Sequence, residues 1–255
     1  MTLDNSIRGK LALITGASGG IGAACARDLF THGARLALTY STNITAIESL
    51  MTELKTQDPS RALTSHRVDV GNADDLANLY REIQSLHNQA GPDILVSNAG
   101  YGKRISDIVD IPIEEFETMI RINLFSSFVL CKLAVPYMVS QNWGRIIFMS
   151  SIAAIGGGIN GCHYAASKAG LTGMMKNLAA KLAKDGVTVN DVSPAMIGDT
   201  GMVPSARAVE GTAGDIRNIP VGRLGTPQEC ATVVTMLCRT GYMTGQSLLL
   251  AGGLR

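Results

Sequence analysis

The sequence predicts an α/β protein, a single domain built on a doubly wound parallel sheet of about seven strands with helices on both faces. Short apolar runs alternate with longer segments of helical periodicity throughout the 255 residues, a rhythm typical of βαβ units joined by right-handed crossovers. Runs such as LALIT, ILVS and RIIFM are continuously apolar, which indicates strands buried on both faces. The length suits one large domain, and no linker or repeat divides residues 1–255.

The first half of the chain alternates strands with helices. The predicted strands lie at residues 11–15, 36–40, 66–70 and 94–97. The helices, recognised by apolar residues at helical spacing, lie at residues 21–30, 45–56 and 73–89. The dipeptides HG at 32–33 and DP at 58–59 end the first two helices, because glycine and proline are helix-stop signals. The fourth strand leads into the turn NAG at 98–100.

The second half begins with a long helical region at residues 113–140, in which Pro136 predicts a kink or a late break. The remaining strands are predicted at 145–150, 187–192 and 247–250, and the remaining helices at 164–184 and 227–238. Residues 195–226 interrupt the alternation with a stretch rich in Gly, Ala, Thr and Pro. Because ligands of open α/β sheets bind beyond the carboxyl ends of the strands, this stretch is expected to form a mobile substrate lid.

Composition argues against several classes of protein. The net charge is +1 and the basic residues are scattered, so no clustered basic face for nucleic acid is expected. The five cysteines contain no CxxC pair and the four histidines are not spaced with them as ligands, so we expect buried thiols and no metal site. The polar N-terminus resembles no signal peptide, and no apolar stretch reaches the roughly 20 residues that span a bilayer. These features predict a soluble cytoplasmic protein without membrane partners.

Three glycines, Gly16, Gly20 and Gly22, lie between the first strand and the first helix. Glycine permits a tight turn and a close approach of backbone N–H groups, and a helix N-terminus favours an anion. The spacing therefore predicts a cradle for the pyrophosphate of a dinucleotide. The alternative is an ordinary strand–helix turn.

Tyr164 and Lys168 lie one helical turn apart, so both side chains project from the same face. A free tyrosine titrates near pH 10, and a neighbouring cation favours the phenolate, so Lys168 is expected to lower the pKa of Tyr164. Ser151, beyond the fifth strand, would donate a hydrogen bond to a carbonyl oxygen, with Ser150 as its rival. The pattern predicts proton transfer coupled to hydride transfer. The alternative is a solvated surface pair.

Taken in order, TGASGGIG, the NAG turn, Asn123, Ser151, Tyr164-x-x-x-Lys168 and NDVSP at 190–194 resemble the classical short-chain dehydrogenase/reductases over essentially the whole chain. The overall pattern is similar to 3-oxoacyl-[acyl-carrier-protein] reductase-like ketoreductases. The resemblance implies a Rossmann fold, with Asn123 holding a water in a proton relay through Lys168. It also implies that the cofactor-binding residues are Gly16, Ser18, Gly20, Ile21, Gly22, Tyr40, Ser41, Thr42, Asp69, Val70, Asn98, Ala99, Gly100, Tyr164, Lys168, Pro194, Ile197 and Thr200.

The end of the second strand bears on the choice of cofactor. Relatives that prefer NAD usually place an acidic residue there, whereas this chain has Tyr40-Ser41-Thr42. Gly19 departs from the NADP-binding relatives, many of which have a cation within the glycine motif. The missing carboxylate favours NADP(H). Asp69 would meet the adenine, or would instead cap the following helix.

The predicted function is NADPH-dependent reduction of a small-molecule ketone or other carbonyl to an alcohol, with Tyr164 as proton donor. The alternatives are an NAD-dependent alcohol dehydrogenase, a carrier-protein-dependent 3-oxoacyl reductase, and an inert nucleotide-sensing or scaffold protein. Carrier-protein reductases commonly have arginines where this chain has Val129 and Ala180. The resemblance also implies a homo-oligomer, a dimer or a tetramer. Asp191 is unusual in an apolar strand, and the sequence shows no partner for it.

Overall fold

The computed structural model describes residues 5–254, so residues 1–4 and 255 of the predicted domain lie outside its description. Seven parallel strands form one sheet in the order β3-β2-β1-β4-β5-β6-β7. The strands are β1 Leu11–Ile14, β2 Arg35–Tyr40, β3 Leu63–Arg67, β4 Ile94–Ser97, β5 Gly144–Met149, β6 Val187–Pro194 and β7 Ser247–Leu250. The helices are α1 Gly20–Thr31, α2 Ile44–Gln57, α3 Ala73–His87, α4 Ile113–Ile120, α5 Ser126–Ser140, α6 Ala153–Gly156, α7 Cys162–Leu182 and α8 Pro227–Cys238. The predicted fold class is confirmed.

The continuously apolar strands are buried because a helical layer covers each face of the sheet. Every residue of β1, β4 and β5 is buried. On one face, Ile14 of β1 belongs to a core cluster with residues of α1 and α8. On the other, Leu13 and Phe148 belong to a second cluster with residues of α3, α5 and α7. Alternate strand residues thus pack against opposite layers, as the pleat requires.

The strand order reverses between β2 and β4, which both pair with β1. In an open parallel sheet, the loops that leave the carboxyl ends of the strands separate at such a point and open a crevice. The glycine turn after β1 and the NAG turn after β4 therefore face each other across it.

The third strand lies three residues earlier than predicted, at Leu63–Arg67 rather than 66–70. β3 is the edge strand and pairs only with β2, from Leu36 opposite Leu63 to Tyr40 opposite Arg67. Polar residues are tolerated on an edge strand, so it lacks the continuous apolar run that marks the central strands. The prediction followed the apolar residues just beyond it.

The predicted long helix at 113–140 is helical from end to end, but it is irregular in its middle. A single π-helical turn at Arg121–Phe125 joins α4 to α5. Pro136 lies inside α5, which continues to Ser140, so a break at Pro136 is wrong and a kink there stays a prediction.

By length and composition alone, Ile113–Ser140 is long and apolar enough to cross a membrane, contrary to the prediction that no stretch would be. Leu130, Ala134 and Met138 of this region are buried in the second core cluster. A core helix of a soluble protein passes the same test, and these contacts place the helix in the packing of the domain.

The stretch at 195–226 leaves the carboxyl end of β6 and is irregular apart from two short 3₁₀ turns, Ala206–Val209 and Ile216–Asn218. Its two ends are joined by a bridge between Ile197 and Gly225. Val209, within the segment, is fully buried. The two ends of this segment, called the lid below, are therefore held together. Its role as a substrate lid and its mobility stay predictions.

The thiols are mostly as expected. Cys25, Cys131, Cys230 and Cys238 are buried, whereas Cys162 at the start of α7 is exposed, contrary to the prediction. No group of three or more His, Cys, Asp or Glu side chains that could hold a metal ion is found within residues 5–254.

Candidate active site

The glycine turn is shaped for a ligand that contacts the backbone. Gly16 has a φ of +68°, in the left-handed region that favours glycine. A Cβ on Gly20 would lie 2.4 Å from the carbonyl oxygen of Asp199, so no side chain fits there without a shift. No side chain caps the N-terminus of α1, and its first turn has no acidic residue. The open N–H groups fit the pyrophosphate of a dinucleotide.

Thr15 and Asn98 hold the two facing turns together. The buried Thr15 Oγ1 accepts hydrogen bonds from the backbone N–H groups of Asn98 at 3.0 Å and Ala99 at 2.9 Å. The Asn98 side-chain amide donates to the Thr15 carbonyl oxygen at 2.8 Å. Asn98 therefore supports the shape of the cradle, beside any contact with the cofactor. The role of Thr15 was missed, and its only signal in the sequence is a hydroxyl at the end of an apolar strand.

One cleft of about 640 Å³ runs from the glycine turn to Tyr164 at the carboxyl edge of the sheet. The predicted residues that line it are Gly16, Ser18, Gly20, Ile21, Gly22, Tyr40, Ser41, Asp69, Val70, Asn98, Ala99, Gly100, Ser151, Tyr164, Lys168, Pro194, Ile197 and Thr200. Thr42 and Asn123 do not line it. The alternative role of Asp69 as a helix cap is wrong, because the side chain of Asn72 caps α3.

Tyr164 and Ser151 meet inside this cleft. Tyr164 is only 6% exposed, and burial raises the pKa of its phenol to about 12, while a hydrogen bond with the Ser151 side chain lowers that pKa. Ser150 instead donates to the backbone carbonyl oxygen of Lys168 at 3.2 Å. Ser151, not Ser150, is therefore the serine that contacts the tyrosine.

The predicted effect of Lys168 on the phenol is wrong for this structure. Lys168 Nζ lies over the ring of Tyr164, 5.7 Å from its centroid, and donates to the Met149 carbonyl oxygen at 2.8 Å. It is not among the groups that shift the pKa of Tyr164, which burial dominates. Lys168 is itself 3% exposed, and burial lowers its pKa to about 8 while Asp191 acts to raise it.

Asn123 sits in the π-helical turn between α4 and α5, and its amide is fully engaged. Its Oδ1 accepts from the Tyr101 N–H at 2.8 Å, and its Nδ2 donates to the Tyr101 carbonyl at 2.9 Å and to Ser167 Oγ at 3.0 Å. Single π turns often mark functional positions in a helix. This one turns Asn123 toward the backbone of Tyr101, which lines the cleft. The water relay stays a prediction.

The outer part of the cleft is walled by the lid and by the loop after β4. Met202 of the lid reaches the phenol, with its Sδ 3.9 Å from the Tyr164 hydroxyl oxygen. Lys103 is paired with Glu115 at 3.0 Å, whereas the neighbouring Arg104 lines the cleft and is exposed.

Arg67 is a residue near the cofactor end of the cleft that the sequence did not single out. It ends β3 opposite Tyr40, and its Nε donates to the Ser41 carbonyl oxygen at 3.3 Å. Arg67 is exposed and forms no ion pair with a carboxylate in the part of the chain that is described. The sequence analysis missed Arg67 because it placed the third strand three residues too late, so the pairing of Arg67 with Tyr40 could not be seen.

Comparisons with known proteins agree with this geometry. A family model described as Enoyl-(Acyl carrier protein) reductase matches residues 16–255. The chain is 37% identical over 252 residues to the 3-oxoacyl-[acyl-carrier-protein] reductase FabG of Rickettsia bellii, covering 97% of this chain and 98% of that protein. It is 35% identical to the FabG of Escherichia coli, with 98% of each chain covered.

Solved structures show the same architecture. A variant of a Serratia marcescens short-chain dehydrogenase/reductase superposes with a TM-score of 0.85 at 30% identity, covering 98% of this chain and 99% of that one. The crystal structure of gox2181 superposes with a TM-score of 0.86 at 26% identity, covering 98% of each.

Proposed function

The chain belongs to the short-chain dehydrogenase/reductase family, and we propose that it is an NADPH-dependent reductase that converts a ketone into an alcohol. The observation that carries the proposal is that Ser151 and Tyr164 line the same cleft as the glycine turn, with the Ser151 side chain acting on the phenol of Tyr164. Relatives at 35–37% identity are named 3-oxoacyl-[acyl-carrier-protein] reductases. An inert nucleotide-sensing protein has no need of such a pair.

The site residues can supply what a carbonyl reduction requires. NADPH, when bound along the glycine turn, provides the hydride. A ketone oxygen placed beside Ser151 and Tyr164 accepts a hydrogen bond from each hydroxyl, which stabilises the negative charge that develops on it. With a pKa of about 12, Tyr164 keeps its proton at neutral pH and donates it to that oxygen. The charged form of Lys168 then supplies a proton to the phenolate left behind, through the predicted relay.

The two hydroxyls also bear on which bond is reduced. Both belong to residues that line the cleft, and together they suit one polar oxygen of a substrate. This arrangement favours a carbonyl over the carbon–carbon double bond that the description of the family model suggests. We therefore propose a ketone or a 3-oxoacyl thioester as substrate.

The preference for NADPH rests on the cofactor end of the cleft. Tyr40 and Ser41 line it without a carboxylate, and Arg67 adds a positive charge beside Ser41. An acidic residue would repel a 2′-phosphate, whereas a hydroxyl and a guanidinium can bind one. Arg67 thus replaces the cation that Gly19 does not supply. The alternative, an NAD-dependent alcohol dehydrogenase, requires the reverse preference.

The chain lacks the charges that carrier-protein reductases commonly present to the carrier. The positions where carrier-protein reductases commonly have arginines hold Val129 and Ala180, which present no charge to an acidic partner. We propose that the chain accepts a ketone or a thioester without requiring the carrier. The exposed Phe116, Phe125 and Phe128 around α4 and α5 fit a contact with a second copy. We propose a cytoplasmic homodimer or homotetramer.

The test combines binding and turnover. Fluorescence titrations of the purified protein with NADPH and NADH are expected to show tighter binding of NADPH. Absorbance of the reduced nicotinamide then follows its oxidation with a free ketone, a 3-oxoacyl thioester and an enoyl thioester. Turnover of the ketone or 3-oxoacyl compound supports the proposal. Turnover of the enoyl compound alone, or tighter binding of NADH, contradicts it.

A further inference from the structure

Asp191 is a buried carboxylate in the middle layer of the fold, directly behind the active site. Its side chain is fully buried on β6. It accepts hydrogen bonds from Thr172 Oγ1 on α7 at 2.9 Å, Ser193 Oγ on β6 at 3.0 Å and Ser247 Oγ on β7 at 2.5 Å. The partners that the sequence did not reveal are thus three hydroxyls from three elements. A carboxylate with three hydroxyl donors is well hydrogen-bonded, but its charge has no countercharge among them.

Lys168 is the cation on the facing helix. It precedes Thr172 by one turn of α7, so the two side chains share the face that covers β6. Lys168 has no carboxylate within ion-pair distance in the described part of the chain. Asp191 is the charged group that acts on it, raising its pKa against the effect of burial.

The other groups packed around Lys168 are neutral or titrate far from its range. Tyr164 lies on the same helix and keeps its proton at neutral pH. The neighbouring strand β5 contributes the carbonyl of Met149, and the π-helical turn contributes Asn123, whose Oδ1 lies near the same point beside Gly100. If Asp191 is neutralised, none of these groups supplies another negative charge to stabilise the charged form of Lys168.

We propose that Asp191 is a positioning residue that keeps Lys168 protonated and so extends the reductase activity to higher pH. It acts through its charge across the contact between α7 and β6, without touching the substrate. Burial disfavours the ammonium form of Lys168, and a nearby buried carboxylate offsets part of that penalty. The inference rests on the proposed reduction at Tyr164.

The test is the pH dependence of NADPH-driven reduction in wild type, Asp191→Asn and Asp191→Ser. Both variants remove the charge but keep groups that the three hydroxyls can bond. Loss of activity with rising pH is expected at a pH lower by about 1 unit or more in both variants. Activity at pH 6 should stay close to wild type. Asp191→Glu restores the carboxylate, so the pH at which activity is lost should move back toward the wild-type value.

Two controls separate this role from a structural one. Thr172→Val removes a hydrogen bond to Asp191 but keeps the charge of the carboxylate. It should therefore alter the melting temperature without changing the pH at which activity is lost. If Asp191→Asn and Asp191→Ser fold but lose activity at the same pH as the wild type, the proposal is overturned. Failure of both neutral variants to fold would also overturn it, because the carboxylate would then be needed for folding. Absence of activity in the wild type would instead contradict the proposed function.

Discussion

Replacing Arg67 by Gln tests how the protein recognises its cofactor. Arg67 Nε donates to the Ser41 carbonyl oxygen, which places the guanidinium beside the end of β2. A hydrogen bond to a charged group contributes about 1.5–3 kcal/mol. The low end applies here, since the side chain is exposed and water screens the interaction. At about 1.4 kcal/mol for each factor of ten, NADPH binding should weaken about tenfold.

The assay is a pair of fluorescence titrations, with NADPH and with NADH, for each variant at two salt concentrations. Arg67→Gln should leave NADH affinity within about twofold and reduce the salt dependence of NADPH affinity, because one charge pair is lost. Arg81→Gln, an exposed arginine of α3, is the matched control and should change neither affinity. Equal weakening of NADPH and NADH, or no weakening at all, would refute the assignment of the 2′-phosphate to Arg67.

Three further predictions concern the cleft. Gly20→Ala should reduce NADPH affinity at least about tenfold by isothermal titration, because the added Cβ would lie 2.4 Å from a backbone oxygen. Gly19→Ala, where the nearest atom is 3.5 Å away, is the control and should bind normally. Reduction rates should fall as the pH rises through about 8, where Lys168 loses its proton; a rate constant unchanged from pH 7 to pH 10 would contradict this. Ser151→Ala should lower kcat by about 10²–10³ with unchanged NADPH affinity. Ser150→Ala is the control and should keep most turnover. Equal losses in the two variants would contradict the assignment of Ser151 as the serine that acts with Tyr164.

The central part of the fold could be predicted because its strands are buried on both faces. The strands Leu11–Ile14 and Ile94–Ser97 are short, mostly apolar runs in which every residue is buried. Such a run is typical of a strand covered on both faces of a parallel sheet. The edge strand Leu63–Arg67 could not be placed, since one side of it has no neighbouring strand and polar residues are tolerated. The π-helical turn at Arg121–Phe125 could not be placed, since a single wider turn does not interrupt the helical pattern of the 113–140 region.

The sequence predicted residues that line the cleft, apart from Thr42 and Asn123, but it did not predict the electrostatic environment of the cleft. Spacing placed Tyr164 and Lys168 on one helical face, as the structure has them. The pKa of Tyr164 depends on burial by the lid and the helices around it, which no local pattern encodes. The hydroxyl partners of Asp191 come from three separate elements, so they become neighbours only when the chain is folded.

The most direct test of the proposed reaction is Tyr164→Phe, measured for both turnover and NADPH binding. The phenol hydroxyl is the proposed proton donor, and phenylalanine keeps the buried ring in place. General acid catalysis contributes about 10²–10⁴ in rate, so turnover of the ketone substrate should fall by that factor while the Kd for NADPH stays unchanged. Near-normal turnover in this variant would show that the proton comes from elsewhere and would contradict the proposed mechanism.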